Sequence, residues 1–94
     1  MTFDVWYKKS LDGHAPSVVD LTDYTKVGSL IANSPREIVN LLRNNVDGQV
    51  LPLASRQPLV GDVVTEGQNA FILTPTGHWA AIQCFFPAPT KNDV

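Results

Sequence analysis

Hydrophobic and polar positions alternate with a period of two near the start of the chain. Phe3, Val5 and Tyr7 fall on one face, and Asp4, Trp6 and Lys8 on the other. This pattern predicts a first β-strand over Phe3 to Lys9. Asp12-Gly13 and Pro16 place a loop over Ser10 to Pro16. Ser17 to Tyr24 fits a short extended piece or a helical turn, with Val18, Val19 and Leu21 as its apolar positions. Val27, Leu30 and Ile31 then predict a second strand over Lys26 to Ala32.

The period changes at Ser34. Ser34-Pro35-Arg36-Glu37 offers serine as N-cap, proline at N1 and glutamate at N3. In such a capping box the Ser34 side chain accepts from the Glu37 amide, and the Glu37 carboxylate accepts from the Ser34 amide. Ile38, Leu41 and Leu42 follow at helical spacing, with Val39 on the flank. That apolar stripe has to rest on another element, most simply one face of a sheet. Arg43 sits near the helix C-terminus, where the dipole favours a cation, and Asn44-Asn45 and Asp47-Gly48 end the helix. A helix this short depends on tertiary packing.

Gln49 to Gln57 is apolar but interrupted, and Pro52 and Pro58 restrict it to an edge strand or an extended loop. A meander follows. Gly61 to Thr65 reads as a strand, Glu66-Gly67-Gln68-Asn69 as a turn, Ala70 to Pro75 as a strand, Thr76-Gly77 as a turn and His78 to Phe86 as the last strand. Short loops between such runs imply antiparallel neighbours. The predicted fold is α+β: a mostly antiparallel sheet of about five strands in the order β-β-α-β-β-β, with one helix packed on one face. The helix stripe is expected against Val5 or Tyr7, Leu30, Val63, Ile72 and Ile82. Residues 1–86 form one domain, and 87–94, with Pro87 and Pro89, a flexible tail.

Composition narrows the possible functions. Ninety-four residues make one domain. The net charge is −2 and the seven basic residues are scattered, with only Lys8 and Lys9 adjacent. Nucleic-acid binding, which needs a cationic footprint to displace counterions, is therefore disfavoured. Nine dispersed acidic residues do not mimic DNA either. Cys84 is the only cysteine, which excludes an internal disulfide and a thiolate zinc site. The N-terminus lacks a signal-peptide pattern, and no stretch approaches the roughly 18 apolar residues of a membrane span. These features predict a soluble protein of the cytoplasm.

The order of elements carries a resemblance. An N-terminal strand is followed by Tyr24-Thr25-Lys26-Val27-Gly28, a capped helix ending in asparagines, Arg56, Val60-Gly61-Asp62-Val63-Val64 and Gly77-His78-Trp79. From about Phe3 to Ile82 this resembles small uncharacterised proteins of bacteriophages, plasmids and other mobile elements. The resemblance implies a setting rather than an activity: an accessory protein acting in a bacterial cytoplasm.

Candidate chemistry is sparse. His14 lies in a loop and His78 in a hairpin turn. A regular strand would hold Cys84 roughly 20 Å from His78, too far for a nucleophile-base dyad. Asp62 follows Gly61 and reads as a turn aspartate accepting backbone amides. Asp12, Asp20 and Asp23 lack the spacing of a calcium loop, and no glycine-rich phosphate loop precedes the helix. No catalytic residue, cofactor or metal site is predicted, and the chain is not expected to be an enzyme. The aromatic residues exceed what one small sheet face holds, so Trp6 and Trp79 form either a second small core or an exposed partner site.

The leading expectation is a non-enzymatic protein that binds and modulates a bacterial host protein of defence, transcription or cell growth. Occupancy alone needs a complementary patch of about 800 Å² per partner. The candidate partner-binding residues are Trp6, Lys8, Arg36, Arg43 and Trp79. The alternatives are a small-ligand or nucleotide-binding domain, which would gather His78, Asp62 and Arg56 in a pocket, and a minor structural protein of a virion. The chain is expected to be a monomer or a homodimer, with Val50 to Ala54 as an edge that could pair across a dimer axis.

Overall fold

A computed structural model describes residues 1–43 and 56–86. The predicted helix end at Asn44-Asn45 and Asp47-Gly48, the Val50 to Ala54 edge and the tail at 87–94 lie outside the described residues. The fold is α+β, with seven strands and one α-helix among those residues. The strands are β1 (Thr2–Lys8), β2 (Val18–Asp20), β3 (Tyr24–Ile31), β4 (Val63–Glu66), β5 (Asn69–Leu73), β6 (Trp79–Ala81) and β7 (Gln83–Phe85), and the helix is α1 (Pro35–Arg43). Five strands form an antiparallel sheet in the order β3-β1-β4-β5-β6, and β2 and β7 pair in parallel as a separate small sheet.

The central strand β1 shows the predicted alternation. Phe3, Val5 and Tyr7 are buried beneath α1 together with Val27, Ala32, Ile38, Leu42 and Val64. The opposite face carries a second core of Val19, Leu21, Tyr24, Val63, Ala70 and Ile72, with Trp6, Cys84 and Phe86 packed against it. The molecule is thus three-layered: helix, main sheet, and the β2–β7 pair.

Some expectations are sharpened and others corrected. The residues at Ser17 to Tyr24 divide between β2 and a 3-10 turn, Leu21–Asp23, because Asp20 accepts from the Thr22 amide at 3.0 Å and its hydroxyl at 2.7 Å and starts the turn. The last strand is not continuous. The Ile82 amide still donates to Ala70 in the main sheet, at 3.0 Å, and the chain then leaves to pair with β2. Val63, Ile72 and Ile82 belong to the second core, and Val64 takes the expected place of Val63 under the helix. With two adjacent valines, alternation in the sequence cannot tell which faces inward; pairing of Val64 with Val5 and Phe71 decides it. Opposite the Val5–Trp6 step of β1, a bulge in β3 leaves Val27 unpaired, so Val27 and Leu30 share the helix side despite their odd spacing.

The helix begins at Pro35, as the Ser34-Pro35 pattern predicts, but its capping contacts differ from the expected box. Glu37 reaches past Ser34 to the Asn33 amide, at 2.8 Å, and the Glu37 amide donates to the Ser34 carbonyl at 3.2 Å. The acidic clasp is therefore one residue wider than a capping box. Ile38, Val39 and Leu42 are buried and Leu41 only half-buried. Among the described residues no helix is long and apolar enough to cross a membrane.

Candidate functional site

Two places gather polar side chains against the sheet. The first is organised by the turn before β4. Gly61 has φ +98°, and a Cβ there would overlap the His14 carbonyl oxygen, so only glycine lets the two segments approach. The turn aims Asp62 inward, where it is 1% exposed. Its Oδ1 accepts from the Lys8 amide at 2.8 Å and from Arg56 Nη2 at 2.9 Å. Its Oδ2 accepts from the Leu59 amide at 2.7 Å and from Arg56 Nη1 at 2.6 Å. Two donors on each oxygen occupy the carboxylate fully.

Arg56 is held from several sides. Its guanidinium carbon lies 4.1 Å from the centre of the Tyr7 ring, and Nη1 also donates to the Gln57 carbonyl at 3.0 Å. The bond to Asp62 raises its pKa further, so the cation persists at any working pH. The Tyr7 hydroxyl donates to the Arg56 carbonyl at 2.8 Å, and the Tyr24 hydroxyl to the Gly61 carbonyl at 2.6 Å. Burial first, and the Asp62 charge second, push both tyrosines up to about 12. They are neutral donors, and the cluster as a whole is self-satisfied.

Lys8 and Trp6 belong to the same side of the main sheet, facing away from α1. Lys8 Nζ donates to Asp12 at 2.8 Å and to the His14 carbonyl at 2.9 Å, tying the following loop to β1. Trp6 Nε1 donates to Thr65 Oγ1 at 3.1 Å, and its ring packs on the second core. For Trp6, the second-core reading of the tryptophans describes its position.

The second place is a groove of about 700 Å³ between α1 and the β5–β6 hairpin. It arises because one nine-residue helix is narrower than five strands. A helix with its side chains is about 10 Å wide, whereas strands spaced by about 4.8 Å make a broader floor. α1 lies over β1, β3 and β4. The β5–β6 side of that face supplies Phe71, Gly77, His78 and Trp79 to the groove, and the helix supplies Arg36, Val39, Asn40 and Arg43. Arg36, Val39, Asn40 and Arg43 share one helix face because they recur at three, four and seven positions. Among the described residues no carboxylate lines the groove.

Three of the five candidate partner residues, Arg36, Arg43 and Trp79, therefore meet on one surface, and Trp6 and Lys8 do not join them. Trp79 packs against the helix-side core rather than away from the helix, and its buried Nε1 meets no acceptor among the described residues. Phe71, Asn40 and His78 also line the groove and were not foreseen as partners to the arginines. The row Val64–Phe71–Ala81, readable once the hairpin register is known, places Phe71 on the helix side.

The pocket of His78, Asp62 and Arg56 does not form. His78 lines the groove, whereas Arg56 and Asp62 do not. Cys84 sits half-buried in β7, against the second core, where burial pushes its thiol pKa up and disfavours the nucleophilic thiolate. Among the described residues no group of three His, Cys, Asp or Glu is placed to hold a metal ion. No protein family matches the sequence, and no curated protein or solved structure matches it.

Proposed function

We propose that this protein acts by occupancy, binding a protein of a bacterial host through the groove between α1 and the β5–β6 hairpin and modulating it without catalysis. The resemblance to phage and mobile-element proteins motivates the host and the cytoplasmic setting. The observation that carries the reading is the contrast in polar groups. The Asp62–Arg56 cluster spends its hydrogen-bonding capacity internally, while Arg36, Arg43 and Trp79 line one open surface. Aromatic and arginine side chains are the residue types that dominate binding energy at protein interfaces.

The test is affinity capture from bacterial lysate with the native chain and with an Arg36→Glu/Arg43→Glu variant, both residues being exposed, of unchanged melting behaviour. A partner retained by the native chain and lost by the variant supports the reading; equal recovery from both refutes it. The groove volume favours a second reading, a small anionic ligand such as a nucleotide, since about 300–1,000 Å³ is the usual size of such sites. That reading expects a thermal shift with nucleotides that is abolished by His78→Ala.

A further inference from the structure

The groove has walls of different chemistry. Arg36 and Arg43 stand on the helix wall, two turns apart, so their Cα atoms are separated by about 10 Å along the groove. Half-buried Phe71 and Trp79 and the exposed ring of His78 stand on the sheet side. Among the described residues no acidic side chain lines either wall, although the chain as a whole carries a net charge of −2. An occupant has to supply negative charge toward the helix and apolar surface toward the hairpin.

An extended polypeptide meets both demands, because its successive side chains point in opposite directions. Resting on the proposed role of the groove in binding a partner protein, we infer that the bound element is an extended acidic segment in which carboxylates alternate with large apolar residues. The carboxylates face Arg36 and Arg43, and the apolar side chains lie against Trp79 and Phe71. Arginine is suited to this because its guanidinium pairs with a carboxylate through two parallel bonds. About 10 Å corresponds to three residues of extended chain, within reach of acids placed two or four apart when the arginine side chains adjust. A long polyphosphate chain fits the groove less well, since it has no apolar side chains to lay against Trp79 and Phe71.

The inference is tested with three probes against the isotopically labelled full chain: a seven-residue peptide alternating glutamate with leucine and phenylalanine, the same peptide with lysine for glutamate, and ATP. The expected result is saturable binding of the glutamate peptide. Amide shifts should be confined to Ser34 to Arg43, Phe71 and Gly77 to Ala81, and affinity should be at least tenfold above that of the lysine peptide. In Arg36→Glu/Arg43→Glu the preference reverses, the lysine peptide binding at least tenfold more tightly, while the spectrum outside the groove stays that of the native fold.

Equal affinity for both peptides, no binding of either, shifts mapped elsewhere, or tighter binding of ATP than of the glutamate peptide would overturn the inference. Failure of the broader reading is distinguished by lysate capture. A partner lost on groove mutation while the peptides do not bind leaves the groove as the interface and removes only the acidic chemistry. Absence of any groove-dependent partner removes the broader reading itself.

Discussion

The cluster around Asp62 and the groove around Trp79 lie against the same sheet and use the same kinds of residue, an arginine beside an aromatic ring in each. In the cluster the guanidinium, the carboxylate, two tyrosine hydroxyls and two amides satisfy one another. In the groove two arginines and an indole N–H are assembled with no carboxylate in the lining among the described residues. Burial explains the difference. A charge taken out of water has to be matched internally or the fold pays for it. A charge at a groove keeps its water until something displaces it. An arginine near an aromatic ring is therefore not in itself a sign of a binding site; what separates the two regions is whether the polar groups have already been used.

The comparison can be broken most severely through the core that both regions share. Leu42 is buried under the sheet-facing side of α1, and Leu42→Asp places an unpaired carboxylate there. Loss of a cooperative thermal transition is expected, and a retained transition would show that the helix is not docked as described. Asp62→Ala is next. It leaves a guanidinium and two amides without their acceptor, and should cost about 3 kcal/mol or more in denaturant unfolding. Arg43→Glu, in the groove, should change stability by no more than about 0.5 kcal/mol.

Alkaline pH addresses the cluster without mutation. The hydroxyls of Tyr7 and Tyr24 are pushed up to about 12 in the folded protein, from an ordinary value of 10.0. Between those values the unfolded chain has released protons that the folded chain still holds. Their contribution to stability is complete below pH 10 and is lost as pH rises through 12. Ultraviolet titration of tyrosinate in the native and denatured protein checks both the shift and its sign.

A further pair of substitutions separates the tryptophans. Trp6→Phe removes a hydrogen bond to Thr65, whereas Trp79→Phe removes an N–H that has no acceptor among the described residues. The first should be the more destabilising, by about 1 kcal/mol. The reverse order would mean that the Trp79 indole is already satisfied.

Sequence reading succeeded where one short segment carried its own rule. β1 was legible because Phe3, Val5 and Tyr7 alternate with polar neighbours, and α1 because Ser34-Pro35 and Glu37 announce a helix start. The hairpin turn at Gly67 and Gln68 was legible for the same reason, and Asp62 was recognisable as a turn residue. What could not be read depends on contacts distant in the chain. β2 and β7 have three residues each, too few for a period to show, and each acquires its form from the other. Val63 and Val64 are equally apolar, so the strand's facing comes from its neighbours. The groove was legible in part. The seven-residue interval between Arg36 and Arg43 puts them on one helix face, but Trp79 joins them only through its pairing with Leu73 across the hairpin.

The parallel union of residues 18–20 with residues 83–85 carries a kinetic consequence. Its two halves are remote along the chain, so bringing them together costs configurational entropy that no neighbouring contact repays in advance. The union is therefore expected to form late, after the rate-limiting step of folding. Weakening it at Val19 should hasten unfolding while leaving the refolding rate nearly unchanged. How long the folded molecule persists is then governed by a short clasp that does little to decide how quickly it is made.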